Sequence, residues 1–584
     1  MSADTLVFDM SSQSEGTPSI FVRKDWLSIL DNQNQNYQGN QSVIDTSQLA
    51  NSNKYMNYRE GYLTVPMLMT LTQVPNAEGN VAFAPNTAAS AADYAVGLKN
   101  WYGSLIHSFT LDYNGTTIIQ QTPYAGLWNS FKLMTSLSVN DLITQGPTIG
   151  FFPDTSTSFT FQADPSVSGQ GICNNNTAGS FPDVTGQFNC FTSYNPGLMK
   201  RQQSWNFNPA GISGNAAGGS TYGTLLGNQA GQSNSSLNQL WKSYIFNRVN
   251  ATNAGLATAT PGVFQVAITA QIFLKHLHAF FERVCLLKCV FMKMTLNLNQ
   301  SSVNFTSAGA GGALNVVNVN SPLGGVSPIM IASAVANSGS AAAFPVGSYT
   351  CSVIVGSRCL NTTQSSLAGV NQSPLSSSII LNVPAYTFNP VFETSYLSNA
   401  IKKIVYTDIY QYQITNQIGA GQTFNNLITN GIANIKSVLI LPFYQAGSNG
   451  GIDPILSPFD PAGGGPTSPL CLFTQFNVQV SGQNTIYNTE RYSYEQFINQ
   501  VYGSNSVNGG QTDGLCSSLI GQTDFDMEYC YYYVNCSRML PVEEAVPKSV
   551  NILGTNMSSK GINLFIFIEY GIEVSLDILT GARV

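Results

Sequence analysis

Residues 109–122 read FTLDYNGTTIIQQT, and residues 476–489 read FNVQVSGQNTIYNT. With Phe109 set against Phe476 the two stretches stay in step without a gap. Leu111 meets Val478, Tyr113 meets Val480, Gly115 meets Gly482, Ile119 meets Ile486 and Thr122 meets Thr489. Each copy alternates apolar and polar residues, the pattern of a strand with one face in a core. Each then turns at Asn114-Gly115 or Ser481-Gly482 and resumes as strand, which is the signature of a β-hairpin. Leu127, Phe131 and Met134 follow the first copy, and Tyr494, Phe497, Ile498 and Val501 follow the second, both at helical spacing. Strand, turn, strand and helix, repeated far apart in one chain, indicate a duplicated β domain.

The composition suits such a chain. Its 584 residues are too many for one core and predict two or more domains. Hydrophobic residues make up 43%, but charged residues only 9%, well below the quarter usual in globular proteins. Surface charge normally keeps soluble monomers apart. A folded chain without it is expected to bury much of its surface against partners. Aromatics at 11% argue against disorder. The net charge is −7 and basic residues cluster no further than pairs such as Lys200-Arg201 and Lys402-Lys403, so no direct nucleic-acid binding is expected. The first residues, MSADTLVFDMSSQSEG, lack the basic and apolar regions of a secretory signal. No uncharged apolar run is long enough to span a membrane as a helix.

Along the chain, residues 1–45 are polar and read as an N-terminal arm. The first firm strand is YLTVPMLMTL at 62–71, with Leu63, Val65, Met67, Met69 and Leu71 on one face and Pro66 arguing for an edge or a bend. After the first hairpin and its helix comes a polar, glycine-rich insertion at about 140–262, without a charge between Arg201 and Lys242. Strands resume at 264–274 and 288–299, on either side of a short helical piece, HLHAFFER. A second insertion, about 301–375, lies in a stretch from Lys293 to Glu393 whose one charge is Arg358. A strand at 378–388 closes the first unit, placed at 46–395; the second unit is placed at 396–584. Its strands are read at 402–414, 437–443, the second hairpin, 528–536, 549–553 and two more within 562–579. Six to eight short strands per unit, few helices and long loops indicate sandwiches.

Three blocks in order carry a resemblance: NGTTIIQQTPYAGLWNSFKLM at 114–134, IFLKHLHAFFERVCLLKCVFMKMTLNL at 272–298, and SIILNVPAYTF followed by ETSYLSNAIKKIVY at 378–406. With the duplication, they make the chain similar to the double jelly-roll major capsid proteins of virophages, polinton-like viruses and their relatives among large DNA viruses. The similarity covers most of 58–300 and 378–584; the two insertions match nothing. It implies an all-β chain of two tandem eight-stranded antiparallel jelly rolls with long loop insertions and a few short helices. It implies three chains per pseudo-hexagonal capsomer, capsomers tiling an icosahedral shell, and long loops of the first roll as an outward tower. Its partners would be two further copies, neighbouring capsomers, and minor and penton capsid proteins, with an internal membrane beneath left open.

Chemistry is scarce. Of three histidines, His107 shares a face with Leu105, Phe109 and Leu111 and reads as buried with a hydrogen-bond partner. His276 and His278 would share a face on a strand, as in some metal sites, but no third ligand follows, and a polar turn before Phe280-Phe281 is the plainer reading. Asp524, Asp526 and Glu528 alternate, so a strand would line three carboxylates on one side. They are weak candidates for a hard cation, against a solvated strand face. Ten cysteines do not make a disulfide scaffold. Cys285, Cys289, Cys530 and Cys536 read as small core residues; whether Cys173 and Cys190 pair across an Asn/Gly-rich loop is left open. Glycines 307–314 lack the spacing of a phosphate loop. The expectation is a structural protein without catalytic residues, metal or cofactor: a major capsid protein, assembled inside the host cell and located in the virion. The alternatives are a jelly-roll carbohydrate-binding spike or adhesin, a minor or penton component, and, least favoured, a β-sandwich glycosidase.

Overall fold

The computed structural model describes residues 19–33, 37, 39–47, 54–74, 94–153, 243–247, 263–288, 291–307, 314–321, 327–333, 347–356, 378–445, 471–486, 492–505, 519–527, 529–537, 545–558, 561–580 and 582–584. The eight principal strands of the first unit are β1 (Phe21–Leu30), β2 (Gln41–Asp45), β3 (Tyr62–Val74), β4 (Ile106–Tyr113), β5 (Thr116–Ile119), β6 (Val263–Phe273), β7 (Met292–Leu298) and β8 (Ile380–Phe388). The second unit is built from β9 (Ile401–Ile418), β10 (Thr423–Ile432), β11 (Ile435–Tyr444), β12 (Phe473–Val480), β13 (Gln483–Asn484), β14 (Tyr532–Asn535), β15 (Lys548–Asn556) and β16 (Ile562–Asp577).

The pairing decides the fold. The first unit forms one sheet in the order β1–β8–β3–β6 and another in the order β2–β7–β4–β5. The second forms β9–β16–β11–β14 and β10–β15–β12–β13. The order in the second unit is that of the first with eight added to every strand number, and each of these pairings is antiparallel. This is the wiring of an eight-stranded jelly roll, made twice. The duplicated hairpins fall on corresponding outer strands, β4–β5 and β12–β13. Their turns agree as well: Asn114 and Gly115 have φ of 47° and 80°, Ser481 and Gly482 have 52° and 77°. Two successive positive φ values suit the right-handed twist of a two-residue hairpin.

The strands follow their side-chain patterns. On β3, Leu63, Val65, Met67 and Met69 are fully buried, and Leu63 and Val65 lie opposite Ile272 and Ala270 of β6. Burying each such large aliphatic side chain contributes about 1.5–3 kcal/mol. Pro66 sits mid-strand, neither at an edge nor in a bend. Its carbonyl accepts from Gly356 N at 2.7 Å, on the side where the partner of β3 changes from β8 to the strand Gly347–Val355. The missing proline N–H therefore falls where the ladder is interrupted. In the second roll, Tyr532 stacks on Phe473 of the facing sheet at 4.3 Å, and Ile440 and Ile566 lie in the same row as Tyr532.

Four further features differ from expectation. Residues 21–30 and 41–45, read as part of an arm, are β1 and β2, paired with β8 and β7. The start of the first insertion is a helix, Val139–Ile149, with a capping box between Ser138 and Asp141. Parts of the second insertion are strand: Ser301–Ser307 pairs with Leu314–Asn320 and with Gly347–Val355, extending the β3 sheet. The end of the chain, read as two strands, is the single strand β16.

Candidate functional site: the seam between the two rolls

The helix after the first hairpin, α1 (Ala125–Ser136), lies across the sheet of the second roll. Trp128 meets Phe567 at 6.3 Å between ring centroids, and Phe131 meets Tyr531 at 5.1 Å and Tyr533 at 5.2 Å. Just before the helix, Tyr124 meets Phe565 edge-on at 5.0 Å. The register explains this. Phe567, Leu439 and Tyr533 form one row across β16, β11 and β14, on the face opposite Ile566, Ile440 and Tyr532. The second row faces the roll's own core and the first faces α1. Every residue from Ile562 to Glu569 is therefore buried, which is why both parities of this strand are apolar.

Polar contacts fix the orientation. Lys132 on α1 reaches Glu569 on β16 at 3.6 Å, and Ser437 donates to the other carboxylate oxygen at 2.7 Å. Burial alone would raise the Glu569 carboxyl. The ammonium of Lys132, with hydroxyl donors from Ser437 and Thr407, outweighs it and holds the group below its ordinary value. Lys132 likewise stays above its ordinary value: burial opposes its charge, and Glu569 more than compensates. The lysine side chain keeps 40% of its exposure, so the pair is only half withdrawn from water. Below it, His278 Nδ1 accepts from Phe280 N at 3.1 Å, leaving Nε2 to face Asp408 Oδ1 on β9 at 3.2 Å; both side chains are 5% exposed. Tyr406 donates to Ile118 O at 3.0 Å, and Thr122 to Ile409 O at 3.1 Å. Aromatic packing with buried, directional hydrogen bonds is the anatomy of a permanent interface.

The histidines of the H-x-H pair have separate surroundings. His278 belongs to the seam. His276, on the short helix Leu274–Leu277, lies edge-on to Trp101 and Phe273 at 6.1 and 5.8 Å, and burial pushes its imidazole down to about 4. His107 is buried against Tyr124, 5.1 Å away, and burial lowers it too. A cavity of about 30 Å³, lined in part by Lys99, Asn100, His107 and Asn299, adjoins it, with room for one or two waters.

The carboxylate row has a different geometry from the one expected. Residues Gln522–Met527 form a helix, not the strand on which alternate positions would share one side. Glu528 lies outside the described residues. Asp524 accepts from Gly521 N at 3.3 Å. Phe525 packs this helix on Phe497, with 4.9 Å between ring centroids. Among the described residues, no group of three or more His, Cys, Asp or Glu side chains is placed to hold a metal ion. Cys285 and Cys536 are free thiols; Cys530 and Cys536 are buried, and burial pushes Cys536 up to about 12. Cys173, Cys190 and Cys289 lie outside the described residues.

The seam's polar residues, Asp408, Lys132 and Glu569, carried no signal in the sequence. The apolar run at 562–568 did carry one, since a strand with both parities apolar needs cover on both faces.

No protein-family model and no curated protein matches the sequence. Among solved structures, a chain of the Sputnik virophage cryo-EM structure superposes with a TM-score of 0.51 at 10% identity, over 98% of this chain and 90% of that one. The mavirus major capsid protein gives 0.43 at 8% identity, over 98% and 92%, and the Faustovirus major capsid protein 0.40 at 8%, over 96% and 92%. These last two are too distant in shape to carry an argument. The first, with the strand order of the two sandwiches, shows that the chain is a double jelly roll sharing its fold with a chain of the Sputnik virophage.

Proposed function

We propose that this chain is a structural subunit of a viral shell, a major capsid protein located in the virion, with no catalytic role and no cofactor. The observation that carries the reading is the fusion of two jelly rolls of identical strand order through one packed seam. Such a chain presents nearly the same building block twice. Three chains would give a block with six similar sides, able to tile a facet beside other capsomers and minor and penton proteins. The low charge of the sequence suits sides buried against neighbours. Contacts repeated over many copies then hold the shell by avidity, without strong individual interfaces.

Light scattering and electron microscopy of the purified full chain test this. The expected result is a homotrimer that forms hexagonal sheets or closed shells. A chain that stays monomeric at all concentrations, or trimers that bind glycans and never tile, would overturn it, the second in favour of the spike or adhesin.

A further inference from the structure

Helix α1 starts without a cap of its own. The residue before it, Tyr124, stands in the left-handed region with φ of 57°, and its side chain makes no capping hydrogen bond. Ser, Thr, Asp or Asn usually fills this position and accepts from the first turn. Here Leu127 N donates to Tyr124 O at 3.0 Å, but Ala125 N and Gly126 N find no acceptor among the described residues. Gly126 and Leu127 of that turn line the cavity of about 30 Å³ beside His107. Lys99 and Asn100, 4% and 7% exposed, form another part of its wall. The Asn100 Oδ1 is buried without a hydrogen-bond partner, and among the described residues no bond holds either end of this amide, so it can turn its NH₂ to a guest. His107, 8% exposed, touches Tyr124 edge-on, and neither ring nitrogen has a hydrogen-bond partner among the described residues. The described lining carries no acid.

We propose that this cavity binds one small inorganic anion of chloride size, which caps helix α1 from outside the chain. The start of a helix carries about half a positive charge and N–H groups that point outward, which makes it a site for anions. The side chains of Lys99, Asn100 and His107 add donors around the same space. Size selects the guest. A halide takes about the room of one water, whereas phosphate or sulfate, with four oxygens around a centre, exceeds a cavity that holds one or two waters. The consequence reaches the seam. The Tyr124 ring lies 5.1 Å from His107 on one side and 5.0 Å from Phe565 of the second roll on the other. An anion held between His107 and the first turn of α1 therefore fixes the end of the helix that joins the two rolls. The site belongs to the single chain and does not depend on how copies assemble.

Bromide soaked into crystals of the full chain locates the ion by its anomalous scattering. Melting of the full chain in chloride, with gluconate (an anion too large for the cavity) making up the ionic strength, reads its effect. A bromide peak is expected among Lys99, His107 and Gly126. The melting temperature should rise by about 2 °C or more from about 5 to about 500 mM chloride, because a ligand bound only by the folded chain stabilises it by mass action. Lys99→Met should lose that rise. Lys403→Met, which removes an exposed lysine paired with Glu573 at 2.6 Å, should keep it. Equal melting in chloride and gluconate, or water alone in the cavity, overturns the proposal. A bromide peak without a chloride effect marks an adventitious ion only and overturns it as well. Should Lys99→Met fail to fold, the bromide peak and the chloride dependence of the parent protein decide together.

Discussion

Phe131 is 1% exposed and lies where one roll meets the other, 5.9 Å from Trp128 in its own helix and 5.1 and 5.2 Å from Tyr531 and Tyr533 across the seam. Replacing it with alanine removes the ring and leaves a cavity that a helix pinned between two sheets cannot close. The expected cost is about 3–5 kcal/mol, as for other buried Phe→Ala changes. Each cross-seam aromatic contact accounts for about 0.5–1.5 kcal/mol of that. Phe131→Leu keeps most of the volume and should cost less than about 1.5 kcal/mol. Urea unfolding, followed by circular dichroism and by tryptophan fluorescence, measures the loss. A double-mutant cycle of Phe131→Leu with Tyr531→Leu isolates the contact between rolls. The two probes should also part in Phe131→Ala, one roll unfolding before the other. A loss below about 1 kcal/mol, with no coupling to Tyr531, would refute the packing of α1 between the rolls.

The two turns make a matched pair. A Cβ at Gly115 or Gly482 meets nothing within 4 Å, so Gly→Ala at either costs only the backbone strain of φ near +80°, about 1–2 kcal/mol. Unequal losses in thermal melts would argue against equivalent turns. Acid titration should show two limbs. His276 has its folded value lowered to about 4, so the unfolded chain binds more protons between the ordinary 6.5 and 4, and stability should be lost as pH is lowered through that window. His276→Leu should flatten it, and an unchanged slope in its melting temperatures would exclude this histidine as the source. Glu569 is lowered instead, so its contribution is complete above the ordinary carboxylate value and is lost as pH falls through the folded one. Glu569→Gln should remove that lower limb, and no change below pH 4.5, the group's ordinary value, would refute the Lys132 pairing as its cause.

Much of the architecture was legible in the chain. The hairpins, the helices that follow them, and the strands β3, β6, β7, β8, β11 and β15 all show local periodicity, and local periodicity is what a sequence can display. The misreadings share a cause. β1 reads FVRKDWLSIL, with charges and a tryptophan on its outward positions; its identity as a strand depends on pairing with β8, at the other end of the unit. Residues 522–527 hold two apolar residues in six, Phe525 and Met527, too few to separate strand alternation from helix. Pro66 suggested an edge, because where a neighbouring strand stops is not a local property.

Alternation, turn chemistry and the repeat each act over a few residues at a time, so the two β sandwiches can be read from the chain alone. It also set the limits on chemistry, through three histidines and a low charge. Tertiary structure alone decided how the sandwiches meet. Lys132 and Glu569, or His278 and Asp408, are brought together by pairings between strands distant in the chain, and a single charged residue in an apolar segment carries no mark of its partner. The same holds for Trp26. Its type is read from the sequence, but its exposure follows only once β1 is placed on the outer edge of the first roll, where the counterpart face in the second roll is already covered.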